Sequence, residues 1–266
     1  MITLRDKTYT SKLGAGLGMI EETRILLDLW NEGMDSSALN SAALNSGRFP
    51  GISARRLRNL IMDCFAPRYL VNGATPALML KALGRALSSR EYEQLMFLFT
   101  CRAHVILADF VRDVYWPAYA SGHDTLNNDE ARVFVVQANQ DGKTSAPWSD
   151  TTIQNVAGYL TGCCADFGLL ERGVRRVRRI LPYHLEPRVA TILGYDLHFT
   201  GISDNRVIEN EDWALFGLEP ADVLAELKRM ALKGLVIVQA AGGATWVGWE
   251  YKSRGDMTYA LAQGAL

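Results

Sequence analysis

The sequence predicts a mainly α-helical protein, α+β overall, with an N-terminal helical bundle over residues 1–122 and an α+β domain over 123–266. Three observations carry this. Apolar residues recur at helical spacing through the first half. The stretch 95–111 is apolar nearly all round, as the central helix of a bundle is. The clearest strand signal is confined to the last third, where Gly242-Gly243 separates two short apolar segments. At 266 residues, 48% hydrophobic and 21% charged, the chain suffices for one large core or two medium ones.

Taken in order, residues 11–32 place Leu13, Leu17, Ile20, Leu26, Leu27 and Trp30 on one face, and Gly33 closes the helix. A short helix is expected at 36–45. The next, 53–65, has Leu57, Leu60, Ile61, Cys64 and Phe65 at i, i+3, i+4, i+7 and i+8. Thr75-Pro76 opens a fourth, to Leu87, because proline's missing N–H matters little in a first turn. A long helix follows over 89–116, ended by Pro117, and 120–124 marks the domain boundary. Helices are then expected at 128–138, from Ser149 or Asp150 to Asp166, and at 220–233.

After Gly234 the chain alternates through 235–240 and again through 245–251. A two-residue turn needs positive φ, which Gly242 and Gly243 supply, and it pairs Val236 with Trp249 and Val238 with Val247 on a buried face. Gln239 and Trp246 fall on the exposed side. Helix, glycine and hairpin in that order end a winged-helix domain, so the second domain is expected to be winged-helix-like.

Charge is unevenly placed. The net charge is only -1, yet Arg175, Arg176, Arg178 and Arg179 lie within five positions, while 204–222 is acidic. Such a run is self-repelling unless a polyanion relieves it, and nucleic acid is the obvious polyanion. Gly173 and the β-branched residues favour a strand there, although Val174, Val177 and Leu181 also fit a helix. A strand puts Arg176 and Arg178 on one side and Arg175 and Arg179 on the other, as a hairpin edge would. A second group, Arg55, Arg56 and Arg58, faces solvent on the 53–65 helix, and the two groups suggest a two-site clamp on duplex phosphates. The competing reading is that solvent or the acidic segment neutralises them.

Enzyme signatures are weak. Gly14, Gly16 and Gly18 follow no strand and have the wrong spacing for a dinucleotide loop. Asp222, Glu226 and Lys228 fall on an amphipathic helix, not on nuclease-like strands, and His104 reads as a core histidine. Cys64, Cys101, Cys163 and Cys164 lack metal-ligand spacing, so no metal and no cofactor are expected. Arg5, Asp6 and Lys7 at the start leave no room for a signal peptide, and Arg102, His104 and Asp109 interrupt 95–111, so a cytoplasmic protein without a membrane span is expected.

Several blocks resemble the BrxA family: Tyr9-Thr10-Ser11 through 21–27, Arg55-Arg56-Leu57-Arg58 running to Arg68-Tyr69-Leu70, 212–218, and the closing 234–249 hairpin. These are accessory proteins of bacterial BREX phage-defence systems. The resemblance implies a non-enzymatic, largely helical protein, its helical part similar to the transcription antitermination factor NusB, that binds double-stranded DNA. It carries over no catalytic residues. The rival expectation is an adaptor that holds other BREX proteins through the acidic segment and Trp246.

Overall fold

The structure, a computed structural model, describes residues 8–173, 176–241 and 244–264. It is 62% helix and 8% strand, which makes the chain mainly α. A 3-10 turn, Ser11–Ala15, leads into α1 (Ile20–Leu29) and α2 (Ser36–Asn45). A helical rod follows: α3 (Ala54–Asn59), a π-helical turn (Leu60–Phe65) and α4 (Ala66–Tyr69). Then come α5 (Thr75–Leu83), α6 (Ser89–Ala103), α7 (Val105–Phe110), a second π-helical turn (Val111–Tyr115) and α8 (Trp116–Ala120). Strand β1 (Thr125–Asn127) precedes α9 (Asn128–Gln140), α10 (Asp150–Asp166) and β2 (Val177–Arg179). The remainder is α11 (Pro187–His198), α12 (Asp204–Ile208), α13 (Glu211–Ala214), α14 (Pro220–Leu232), β3 (Val236–Ala241), β4 (Ala244–Trp249) and α15 (Arg254–Ala262).

The chain forms two compact units, and neither is continuous in sequence. The first takes the chain to Leu78 together with Met96–Tyr183; the second takes Met79–Leu95 and the chain from His184 onward. The boundary expected near 122 thus falls inside the first unit. Local sequence texture cannot reveal such an exchange, because α5 and α6 each begin in one unit and end in the other.

In the first unit the expected 11–32 helix is divided. Leu17 and Met19 adopt positive φ (48° and 52°), and the glycines before them allow close approach to α10. A Cβ on Gly18 would lie 2.5 Å from Asp166 Cβ, and one on Gly14 2.3 Å from Tyr159 Cε2. Gly18 N–H donates to Asp166 Oδ2 at 3.0 Å. These glycines are a packing device.

Both π-helical turns stand directly before an Xaa-Pro pair, Ala66-Pro67 and Trp116-Pro117. A proline inside a helix removes one hydrogen bond and crowds the carbonyl four residues earlier; the wider turn absorbs both effects and lets the helix run on. Pro117 therefore does not end its helix, which continues to Ala120, and the 53–65 helix extends to Tyr69. The expected 89–116 helix instead breaks at His104 (φ -124°, ψ 86°), where its two parts are bent by 113°. Among the described residues no single helix is long and apolar enough to cross a membrane.

In the second unit α11 is buried almost throughout, from Val189 to Leu197. No polar stripe marks it, and it has no counterpart among the sequence expectations. Against it stands the hairpin, with the expected register: Val236 opposite Trp249, Val238 opposite Val247, Gln239 opposite Trp246. Val236 and Val247 are buried and Trp246 is half exposed, so the two faces divide as the alternation requires. Gly242 and Gly243, the expected turn, lie outside the described residues. Tyr195 on α11 fixes the hairpin base, its hydroxyl donating to Leu235 O and accepting from Glu250 N–H at 3.0 Å. Asp204 fixes the other strand, accepting from Val247 N–H at 2.9 Å and Trp249 Nε1–H at 3.1 Å.

Candidate nucleic-acid interface

Ser53 caps α3, its hydroxyl accepting from Arg56 N–H at 3.2 Å. Leu57, Leu60, Ile61, Cys64 and Phe65 turn inward and are buried. A helix that fixes those positions on one side must turn Arg55, Arg56 and Arg58 to the other, and all three are exposed. They point where the periodicity places them.

The second group sits on β2, and its neighbours differ from expectation. The segment is a strand, not a helix, but its partner is no following strand of a hairpin. It pairs antiparallel with β1, some fifty residues earlier, Thr125 opposite Arg179 and Leu126 opposite Arg178. On its other side Glu171 N–H donates to Arg179 O at 2.8 Å, and Leu170 bridges Ile180. The basic strand is therefore flanked on both sides, not a free edge.

That pairing separates the arginines by role. Arg178 lies opposite fully buried Leu126 and is itself only 9% exposed. Its Nη1 donates to Glu171 O and Gly173 O, so it holds the loop that leads into the strand. Arg176, just before the strand, and Arg179, on the opposite side from Arg178, are exposed. Arg176 and Arg178 therefore do not share an outward side as simple alternation implies, because the strand begins only at Val177. Arg175 lies outside the described residues. Among the described residues, none of Arg55, Arg56, Arg58, Arg176 and Arg179 enters an ion pair.

The acidic segment has local work. Asp204 holds the hairpin, Glu219 and Asp222 form a reciprocal cap on α14, and Glu226 pairs with Arg229. The set Asp222, Glu226 and Lys228 is thus largely occupied by helix structure. The four cysteines are buried, and none is in a disulfide among the described residues. Burial pushes the Cys164 thiol up to about 12 and raises Cys163 well above its usual value, so neither is a thiolate nucleophile at neutral pH. Among the described residues no three His, Cys, Asp or Glu side chains gather as metal ligands.

The BrxA family matches this chain over residues 7–195, well over half its length and including both arginine groups. The chain belongs to the BrxA family. It is accordingly an accessory protein associated with the BREX antiviral defence systems. The match ends on α11, so the 212–218 block and the hairpin lie beyond it. No curated protein matches the chain. Among solved structures, the crystal structure of an uncharacterized protein from Magnetospirillum magneticum is similar, with a TM-score of 0.56 and 18% identity. The likeness covers 72% of this chain and 94% of that one, and at such identity it speaks for the fold alone.

Proposed function

We propose that this BrxA-family chain is a non-enzymatic, cytoplasmic protein that binds double-stranded DNA through the phosphate backbone. Its contacts are Arg55, Arg56 and Arg58 on α3 and Arg176 and Arg179 at β2, with Arg175 part of the same run. One observation carries the reading: these five described guanidinium groups are exposed and outside any ion pair among the described residues, in a chain of net charge -1. Arg178, committed to Glu171 O and Gly173 O, shapes the strand and does not touch the duplex. In this reading the helical part is NusB-like, and α11 to α14 with the β3–β4 hairpin form a winged-helix-like module. Phosphate contacts position a protein without reading sequence, so sequence preference is weak.

The test is binding of a random-sequence duplex, followed by fluorescence anisotropy between 50 and 200 mM salt. Five phosphate contacts give a log–log slope of about -4.5, a loss of roughly 500-fold over that range. A flat response refutes the electrostatic account.

A second reading rests on Ile237 and Trp246, which are 61% and 53% exposed on the outer hairpin face. In it the hairpin docks another BREX protein and the arginines serve that contact. Co-purification that survives nuclease treatment favours this adaptor; co-purification lost with the nucleic acid favours DNA binding.

A further inference from the structure

Arg68 continues the stripe of its helical rod that carries Leu57, Ile61 and Cys64, and it is only 1% exposed. Its Nε donates to His104 Nε2 at 3.3 Å, which orients the guanidinium. Nη1 and Nη2 are buried without a hydrogen-bond partner. Among the described residues no carboxylate forms an ion pair with it.

The phenol and thiol groups around it give no counter-charge. Burial raises the phenol of Tyr69 and the thiols of Cys64 and Cys163, and in each case outweighs the opposing pull of Arg68. A buried cation without a partner is costly, and natural interiors pair such groups or bind a counter-ion.

A cavity of about 330 Å³ opens at the corner where α6 breaks into α7, walled by Lys12, Asp63, His104 and Ile106 among others. A smaller cavity of about 60 Å³ shares Pro67, Val71 and Ala103 with it and adds Arg68 and Arg102 to its wall. Lys12 and Asp63 thus line the larger cavity, and Arg68 lines the smaller one beside it. All of these residues belong to the first unit.

We infer that these two neighbouring cavities together bind a small phosphate-bearing molecule, with Arg68 and Lys12 as its cationic contacts. Paired Nη donors suit an oxyanion, which accepts from a planar guanidinium in two places. The volume lies at the low end of that of small-molecule sites. Pro67, Val71 and Ile106 give the apolar wall that an organic body attached to the phosphate needs.

The test titrates the full chain with inorganic phosphate at constant ionic strength in chloride, by calorimetry and thermal unfolding. The expected result is saturable binding at one site per chain and a rising Tm. Lys12 is exposed, so Lys12→Met leaves the Tm in chloride unchanged and weakens phosphate by about tenfold, the loss of one charge-assisted contact. Arg68→Met abolishes the phosphate response. If Arg68→Met does not fold, Lys12→Met decides. Absence of saturable binding, or a Lys12→Met affinity equal to that of the original chain, overturns the proposal. Random duplex binding by Lys12→Met is expected unchanged; a parallel loss of duplex affinity assigns the site to backbone phosphates and refutes the small-ligand claim.

Discussion

Replacing Tyr195 with phenylalanine removes one oxygen and keeps the ring that packs edge-on against Trp249 at 4.8 Å and near Tyr251 at 5.3 Å. The lost hydroxyl serves three backbone groups: it donates to Leu235 O and accepts from Glu250 N–H at 3.0 Å and Tyr251 N–H at 3.4 Å. Leu235 is buried, so its carbonyl has no ready replacement and its orphaning costs about 1–3 kcal/mol. The Glu250 contact adds about 1 kcal/mol and the long Tyr251 contact little. The expected loss is therefore about 2–4 kcal/mol, concentrated where both ends of the hairpin meet α11. Urea unfolding followed by tryptophan fluorescence measures it, since Trp249 reports on this corner. A loss below about 0.5 kcal/mol, the range of an ordinary surface substitution, refutes the claim that Tyr195 holds the hairpin base.

Three further outcomes are expected. Arg176→Ala with Arg179→Ala leaves stability within about 0.5 kcal/mol but lowers the magnitude of the salt slope of duplex binding by about two, whereas Arg178→Met lowers stability and releases the 171–173 loop. Paired unfolding and anisotropy measurements separate the two roles. Gly18→Ala sets a methyl against Asp166 Cβ, which cannot swing away as a long side chain does, and costs about 1–3 kcal/mol in denaturant unfolding. Burial, with Arg68 and Lys12 adding to it, pushes His104 down to about 3. The unfolded chain then binds more protons between its ordinary value near 6.5 and 3, so this group's contribution falls as pH drops through that window, by about 1.4 kcal/mol per pH unit. His104→Gln, which retains an acceptor for Arg68, is expected to flatten the stability profile between pH 4 and 6, roughly the middle of that window.

Much of the helical content was legible because a partly buried helix writes its period into the sequence. The Leu57, Ile61, Phe65 face was readable, and so were the outward arginines it implies. The same stripe reaches Arg68, and a charged residue in an apolar register was the available sign of the buried cation. The hairpin register was readable because strict alternation admits one pairing once the turn is placed. The break at His104 left no comparable sign, since the segments on either side are apolar nearly all round and a straight helix and a bent one carry the same pattern. The flanked basic strand was also hidden, because its partner β1 lies some fifty residues away.

Sequence alone determined the mainly helical class, the exposed arginines of α3, the hairpin register and the resemblance to the BrxA family. Each follows from spacing along the chain or from the order of residue types. Tertiary structure alone decided that Arg178 turns inward while Arg179 does not, that α5 and α6 are shared by two discontinuous units, and that a cavity opens beside Arg68. These depend on which distant segments meet, and burial, pairing and desolvation are set by that meeting, not by local pattern.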